Sequence, residues 1–237
     1  MNEFFGAVKD SIYINLIYED RYLFLIEGFG LTVFMTVATF LLGTLIGAVF
    51  CRARVSRRSW IRKMVEMIGT LFVRLPTLVL LLIFVYLIFS NIEAETVLLA
   101  IGAFAMKTGA YIADILYAAY KAVDPGEIEA GRTLGMNRLK VFRFVILPQI
   151  INNALPTYRN QLIITLQETS LVGFFAINDL TRASQVITSR TMDPYIAIII
   201  TCVVYLLIGA VSNYLFKLFD RKKHLKEGRD YRIESTL

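Results

Sequence analysis

The chain has 237 residues, of which 57% are hydrophobic and only 19% charged, with a formal net charge of +6. A soluble domain carries about a quarter charged residues, so the composition excludes disorder, a disulfide scaffold and an ordinary soluble enzyme, and it leaves an integral membrane protein. Cys51 and Cys202 sit in or beside apolar runs without metal-ligand spacing, and the single histidine, His224, lies in a basic tail; paired His or His–Cys chemistry is therefore not available.

Residues 1–27 lack the basic start and apolar core of a signal peptide. Phe4, Phe5, Val8, Ile12 and Leu16 recur at helical spacing and predict an amphipathic helix on the outer membrane interface. A spanning helix needs about 20 apolar residues. Residues 28–51 supply one. Residues 75–92 supply another, extended backward through Ile68 across Arg74. Residues 96–120 make a third span, interrupted by Lys107 and Asp114. Residues 144–166 are apolar enough to insert but carry Asn152, Asn153, Arg159 and Asn160, so this span is expected to face protein or water, not lipid. Residues 194–216 are a clean last span. The expected fold is all-α and polytopic, with about five transmembrane helices. Its divisions are an outer-face segment (1–27), a transmembrane domain (28–220) and a cytoplasmic basic tail (221–237).

Most of the 25 basic residues follow the first, third and last spans. Glu93 and Glu95 alone bracket the connection between the second and third. The positive-inside rule then predicts an outer N-terminus and a cytoplasmic C-terminus. Because the charges hug span ends, they are a topology signal and imply no nucleic-acid partner. Thr39, Gly43 and Gly47 on the first span, and Ala105, Gly109 and Ala113 on the third, form small-residue stripes. Such stripes either let helix backbones approach closely or are ordinary span filler. Five helices make a thin bundle, so a second copy or a similar subunit is expected. No G-x-x-x-x-G-K-[ST] loop and no catalytic constellation is present.

Between the third and fourth spans, residues 124–148 read as a compact knob. Asp124 caps a helix, Pro125 fits its first position, and Glu127 is placed to complete a capping box. The helix runs through Glu129, Ala130, Gly131 and Arg132 to a stop at Gly135. Asn137 caps a second helix, and Pro148 opens the next span. The knob either docks into a partner's groove or is a plain loop with two capped turns.

Glu129-Ala130-Gly131, then Gly135, then Val145-Ile146-Leu147-Pro148 resembles the coupling-loop motif of ABC importer permeases. The family pattern is E-A-A, three residues, G, nine residues, I-x-L-P; this chain differs by Gly131 for alanine and Val145 for isoleucine. Leu147-Pro148-Gln149, Glu168-Thr169-Ser170-Leu171-Val172 and Asn178-Asp179-Leu180-Thr181 resemble the polar amino acid branch of the histidine/glutamine type. The resemblance covers residues 20–220. It implies the MetI-like permease fold in a cell inner membrane and a translocation pathway built by two such subunits. Two ATPase subunits would be docked at Glu129, Ala130, Gly131, Gly135 and Pro148, and an extracytoplasmic binding protein would deliver the amino acid. ATP would bind the partner, and this chain would carry no cofactor and no metal. The chain departs from the branch at Gln167, where lysine is common, and at Asp114 and Tyr117, where Glu-x-x-Arg is common.

Ionisable residues within spans are functional candidates. Lys107, Asp114, Arg159 and Glu168 qualify. Gln167, Glu168, Thr169 and Ser170 end an apolar run before Gly173, and a broken span there would offer backbone groups to a solute. Asp114, Gln167, Glu168, Thr169 and Ser170 are the expected pathway residues. If Asp114 and Glu168 share one cavity without partners, they favour a cationic or zwitterionic amino acid over an acidic one, with a lean to a basic one; if Lys107 and Arg159 neutralise them, a neutral polar one such as glutamine. The competing class is a passive channel or ion-coupled carrier, which would work without ATPases.

Overall fold

The structure, a computed structural model, describes residue 6, residues 9–88 and residues 95–234, with side chains as far as residue 217. Phe4, Phe5, Val8, Glu93 and the side chains of the basic tail lie outside these. The described residues contain helices and no strand. The helices are α1 (Tyr22–Arg54), α2 (Ser59–Arg74), α3 (Thr77–Ile83, continued by a π turn, Phe84–Ile88), α4 (Thr96–Lys121), α5 (Pro125–Thr133), α6 (Arg138–Val141, continued by a π turn, Phe142–Ile146), α7 (Leu147–Thr169), α8 (Leu180–Thr191) and α9 (Pro194–Glu234).

Among the described helices, α1, α4 and the Pro194–Lys217 part of α9 are long and apolar enough to cross a membrane, and the bent pair α2–α3 makes a fourth crossing if it counts as one. α7 has the length, 23 residues, but is more polar. Counting it gives five. The first span is longer than expected, beginning at Tyr22 and running 33 residues, about 50 Å at 1.5 Å per residue. The second is not one straight helix reaching back across Arg74. It bends by 112° between Arg74 and Thr77. Pro76 is the cause: it disfavours helical backbone at Leu75, which is extended with ψ 135°.

Residues 23–183 form one compact unit. Its apolar core joins Met35 of α1, Leu80, Leu81 and Phe84 of α3 and its π turn, Ala100, Ala103 and Phe104 of α4, and Val172 and Ile177 beyond α7. The small-residue stripes pack against each other and are not filler. A Cβ on Gly43 would stand 2.8 Å from Thr108, one on Gly47 2.9 Å from the Gly109 carbonyl, and one on Gly109 2.7 Å from Ile46. α1 and α4 therefore approach as closely as backbones allow, which is how van der Waals packing replaces the hydrophobic effect between helices in lipid.

The second unit comprises the chain up to Tyr22 and from Ser184 onward. The segment expected to hold an amphipathic helix through Leu16 is not one regular helix beyond Ile12. A π turn (Tyr13–Ile17) and a 3-10 turn (Tyr18–Asp20) interrupt it, with Glu19 and Asp20 at φ 55° and 52°. Ile12 is exposed, and the residue fully buried in this segment is Asn15. Its side-chain nitrogen donates to the Asp193 carboxylate at 3.0 Å, and its oxygen accepts from the Thr191 hydroxyl at 3.1 Å. Asp193 also accepts from Ser11. A buried amide is costly unless all its groups are paired, so these bonds fix the segment to the turn between α8 and α9.

Candidate functional site: a coupling knob and a polar break

The knob is assembled largely as its residues dictate. The Asp124 carboxylate caps α5 by accepting from the Gly126 N–H at 2.8 Å. At the other end, the Gly135 N–H donates to the Arg132 carbonyl at 3.0 Å and the Met136 N–H to the Gly131 carbonyl at 3.1 Å. This is the Schellman pattern, and it requires the left-handed φ of +77° at Gly135, which glycine adopts without a Cβ clash. Asn137 caps α6 through the Lys140 N–H at 2.9 Å. Gly131 is buried, yet a Cβ there would meet Val141 and Val145 at 3.5 Å, ordinary contact, so the family's alanine would fit.

Two details differ from expectation. The capping box does not close, because the Glu127 carboxylate accepts instead from the Gln149 side chain at 2.5 Å, tying α5 to α7. Pro148 does stand at the start of α7, as expected, but α7 is not separated from α6. The π turn carries helical backbone from α6 into α7, with the Leu147 N–H donating to the Phe142 carbonyl. The widened turn accommodates the proline ring and the missing donor. Ile128 and Met136 pack with Val141 and Ile146 onto Ala119, Val123, Ile150 and Ala154 of α4, its C-terminal edge and α7. Outward, Glu129, Ala130 and Gly135 are exposed, and Leu134 and Leu139 are 79% and 73% exposed.

The second site lies where α7 ends. Lys107, nearly fully buried, reaches Glu168 Oε1 at 3.2 Å. It also donates to the Thr77 hydroxyl and to the Leu75 carbonyl at 3.3 Å, while Thr77 donates to Glu168 at 2.7 Å. The α2–α3 bend thus supplies both a hydroxyl and a freed carbonyl to the buried ammonium. The other Glu168 oxygen is buried without a partner among the described residues. Gln167 is exposed, Ser170 half-buried, and Thr169 buried, with its hydroxyl 3.4 Å from that of Thr36. Beyond lie a 3-10 turn (Ser170–Phe175), left-handed Ala176, and Asp179, whose carboxylate caps α8 at the Arg182 N–H (2.9 Å). α1 holds this segment: the Leu180 N–H donates to the Thr32 hydroxyl at 3.0 Å, and Gly28 lies against the Asp179 carbonyl.

Asp114 is not an interior acid of this cluster. It is 49% exposed and pairs with Arg54, the buried last residue of α1, whose guanidinium also lies 6.0 Å from the Tyr117 ring. Both acids are thus paired, Glu168 with Lys107, one of the two cations expected to neutralise it, and Asp114 with Arg54, which no local signal singled out. On α7, Asn153, Thr157, Asn160 and Gln167 are all exposed and recur on one face at helical spacing, a polar stripe along an otherwise membrane-length helix.

The sequence pattern described as "binding-protein-dependent transport system inner membrane component" matches residues 39–225. The chain belongs to that family. It is a multi-pass membrane permease, the membrane component of an ABC importer and not its ATPase. The permease is 31% identical over 219 residues to the histidine/lysine/arginine/ornithine transport system permease protein HisM of Salmonella typhimurium, covering 88% of this chain and 92% of that one. It is 26% identical over 209 residues to a putative glutamine transport system permease protein GlnP of Rickettsia prowazekii, covering 86% and 95%. A crystal structure of an amino acid ABC transporter with histidines superimposes with TM-score 0.78 at 30% identity, covering 87% of the permease and 97% of that chain. Sequence reasoning missed Thr77, Arg54, Leu134 and Leu139. Pro76 was the available signal for the first, since a broken helix is where a hydroxyl at a helix start becomes free to bond inward.

Proposed function

We propose that the permease carries polar amino acids and couples to two cytoplasmic ATPase subunits through the knob around Glu129, Ala130, Gly131, Gly135 and Pro148. The observation that carries this reading is the knob itself, a capped unit whose inner face is packed on α4 and α7 while Leu134 and Leu139 project bare. Leucines left exposed on a rigid, charged surface suit a partner's apolar groove. An external binding protein would deliver solute to a pathway formed with a second permease copy or a similar subunit. The N-terminus would be outside and the C-terminus in the cytoplasm, since the basic residues follow the first, third and last spans in the sequence.

Gln167, Glu168 and Ser170, with the α7 stripe of Asn153, Thr157 and Asn160, would line the pathway. Thr169 anchors the end of α7 to α1, and Asp114 sits nearer the knob, tied to Arg54. Lys107 neutralises Glu168 and Arg54 neutralises Asp114, so neither acid is left to select a cation. This supports polar zwitterionic amino acids generally, with no preference for cationic ones. Movement of the knob would tilt α7, into which its second helix runs, against α4 and so reposition Glu168 relative to Lys107.

The test is co-purification with the ATPase subunits. Leu134→Asp with Leu139→Asp alters only exposed side chains, so the permease should still insert, while the ATPases are lost from the complex and uptake stops. Retention of substrate-responsive ATPase activity in that variant would remove the docking role from the knob.

A further inference from the structure

α2 runs antiparallel along α4. Gly69 lies against the Arg54 guanidinium that pairs with Asp114, the Val73 carbonyl accepts from the Tyr111 hydroxyl at 3.3 Å, and the Leu75 carbonyl accepts from Lys107 at 3.3 Å. Lys107 stands eleven residues from the start of α4 and fourteen from its end, about 17 Å and 21 Å at 1.5 Å per residue. Because α4 is a span, this ladder sets Arg74, the residue before Leu75, at about half depth in the bilayer. The Arg74 side chain is exposed and makes no hydrogen bond or ion pair among the described residues. It follows Trp60, Met64, Met67 and Leu71 in the row that α2 exposes. Lipid suits the four apolar side chains but not a guanidinium at half depth, where an ionisable group faces protein or a water-filled cavity.

Two observations favour the cavity. Three residues on, across the bend, Thr77 donates to Glu168 at 2.7 Å. Three residues reach at most about 11 Å even when extended, so Arg74 belongs to the neighbourhood of Gln167, which is exposed at the end of the α7 stripe. The interior acids Asp114 and Glu168 are held by Arg54 and Lys107, so a second copy of this chain brings neither of them free to cover the guanidinium. With the Lys107–Glu168 pair neutral, Arg74 is surplus positive charge there. A guanidinium presents a planar fork that takes a carboxylate through two parallel hydrogen bonds. We propose that Arg74 faces the translocation pathway and binds the carboxylate of the solute at half depth. The inference deepens the reading of the permease as a carrier of polar amino acids and rests on it.

Hydroxyphenylglyoxal, which modifies guanidinium groups from water, tests this on the parent permease in complex with its ATPases, with mass spectrometry reading the modification of Arg74. Uptake by the reconstituted importer, screened over the polar L-amino acids, identifies a transported one. The expected result is that Arg74 is labelled, that this amino acid slows the labelling, and that its α-carboxamide, which lacks the negative charge, does not. Arg74→Gln should weaken binding of the tritiated amino acid to the solubilised complex about tenfold or more, as expected when a hydrogen-bonded charged partner is lost, and Arg74→Lys should recover part of that loss. Because Arg74 has no partner among the described residues, both variants should melt with the parent. Three results would overturn the proposal while uptake by the parent leaves the solute reading standing: Arg74 unlabelled, Arg74 labelled equally with amino acid and amide, or undiminished binding in Arg74→Gln. The first would place an acid of the second permease subunit over Arg74. Uptake of no amino acid by the parent would sink the solute reading and the proposal together.

Discussion

Between Thr133 and Arg138 the chain is turned by its own backbone: two N–H groups bond back into α5, a glycine takes the left-handed conformation, and Asn137 starts the next helix. Between Thr169 and Leu180 the turn is made by other helices. Thr36, Thr32 and Gly28 of α1 hold Thr169, Leu180 and Asp179, and Lys107 of α4 holds Glu168. The first turn keeps its shape wherever it is carried, as an element that receives a push must. The second exists only while α1 and α4 keep their register with α7, so a shift between those helices remakes it.

The sharpest way to break this contrast is at Lys107. Lys107→Met leaves Glu168 buried without its cation, a change that costs about 3–5 kcal/mol when one member of a buried pair is lost. Thermal unfolding in detergent should show a large destabilisation, substantially recovered by adding Glu168→Gln. Failure of the double variant to recover would mean that the pair does not set the geometry of the second turn.

A backbone contact comes next. Gly28→Ala places a methyl 2.8 Å from the Asp179 carbonyl oxygen and should cost about 1–3 kcal/mol by overpacking. Gly30→Ala, where a Cβ meets nothing within 4 Å, is the matched control and should be neutral or slightly stabilising. Equal melting temperatures for the two variants would argue against a turn held by α1.

The local turn should respond differently. Gly135→Val forces a β-branched residue into left-handed backbone at about 1–2 kcal/mol. The strain stays within the knob, so transport-coupled ATP hydrolysis should fall while the Lys107 region keeps its hydrogen-exchange protection. Loss of protection around Glu168 in this variant would show that the two turns are not separable.

The smallest effect is expected at a third turn, between α8 and α9, which combines both strategies. The Ser11 hydroxyl above all, then the Tyr195 N–H and the Asn15 amide, hold the Asp193 carboxyl below its ordinary value, against partial desolvation that raises it. A lowered folded pKa gives stabilisation that is complete above the unfolded value and lost as pH falls through the folded one. Hydrogen exchange over residues 188–196 should therefore stay protected from neutral pH down to below about 3.9, the ordinary aspartate value, and Ser11→Ala should move the loss to higher pH. An unchanged midpoint in that variant would exclude Ser11 as the cause.

The same contrast explains what could be read in advance. Asp124, Gly135 and Asn137 announced the knob because a cap or a left-handed glycine acts on its immediate neighbours. The small-residue stripes left close packing and span filler both open, because which helix faces which is not written in one span's sequence. Glu127 misled because its local partner lost to Gln149, 22 residues away. Arg54 with Asp114, and Gly28 with Asp179, depend on helix register, which a single sequence does not encode locally. The bend at Pro76 was legible, and reading one span through it neglected the conformational restriction on Leu75.

The π turn at Phe142–Ile146 has a mechanical consequence. Because it carries helical backbone from Arg138 to Thr169, the knob's second helix and the span that ends at Glu168 are a single shaft. From Arg138 to Glu168 that shaft measures about 45 Å at 1.5 Å per residue. A tilt of about 10° at the knob would sweep its far end through about 8 Å by the same geometry, more than twice the 3.2 Å that separates Lys107 from Glu168. Pro148 falls where the π turn absorbs it, whereas Pro156 stands inside α7 without one, so any bend at Pro156 subtracts from that sweep.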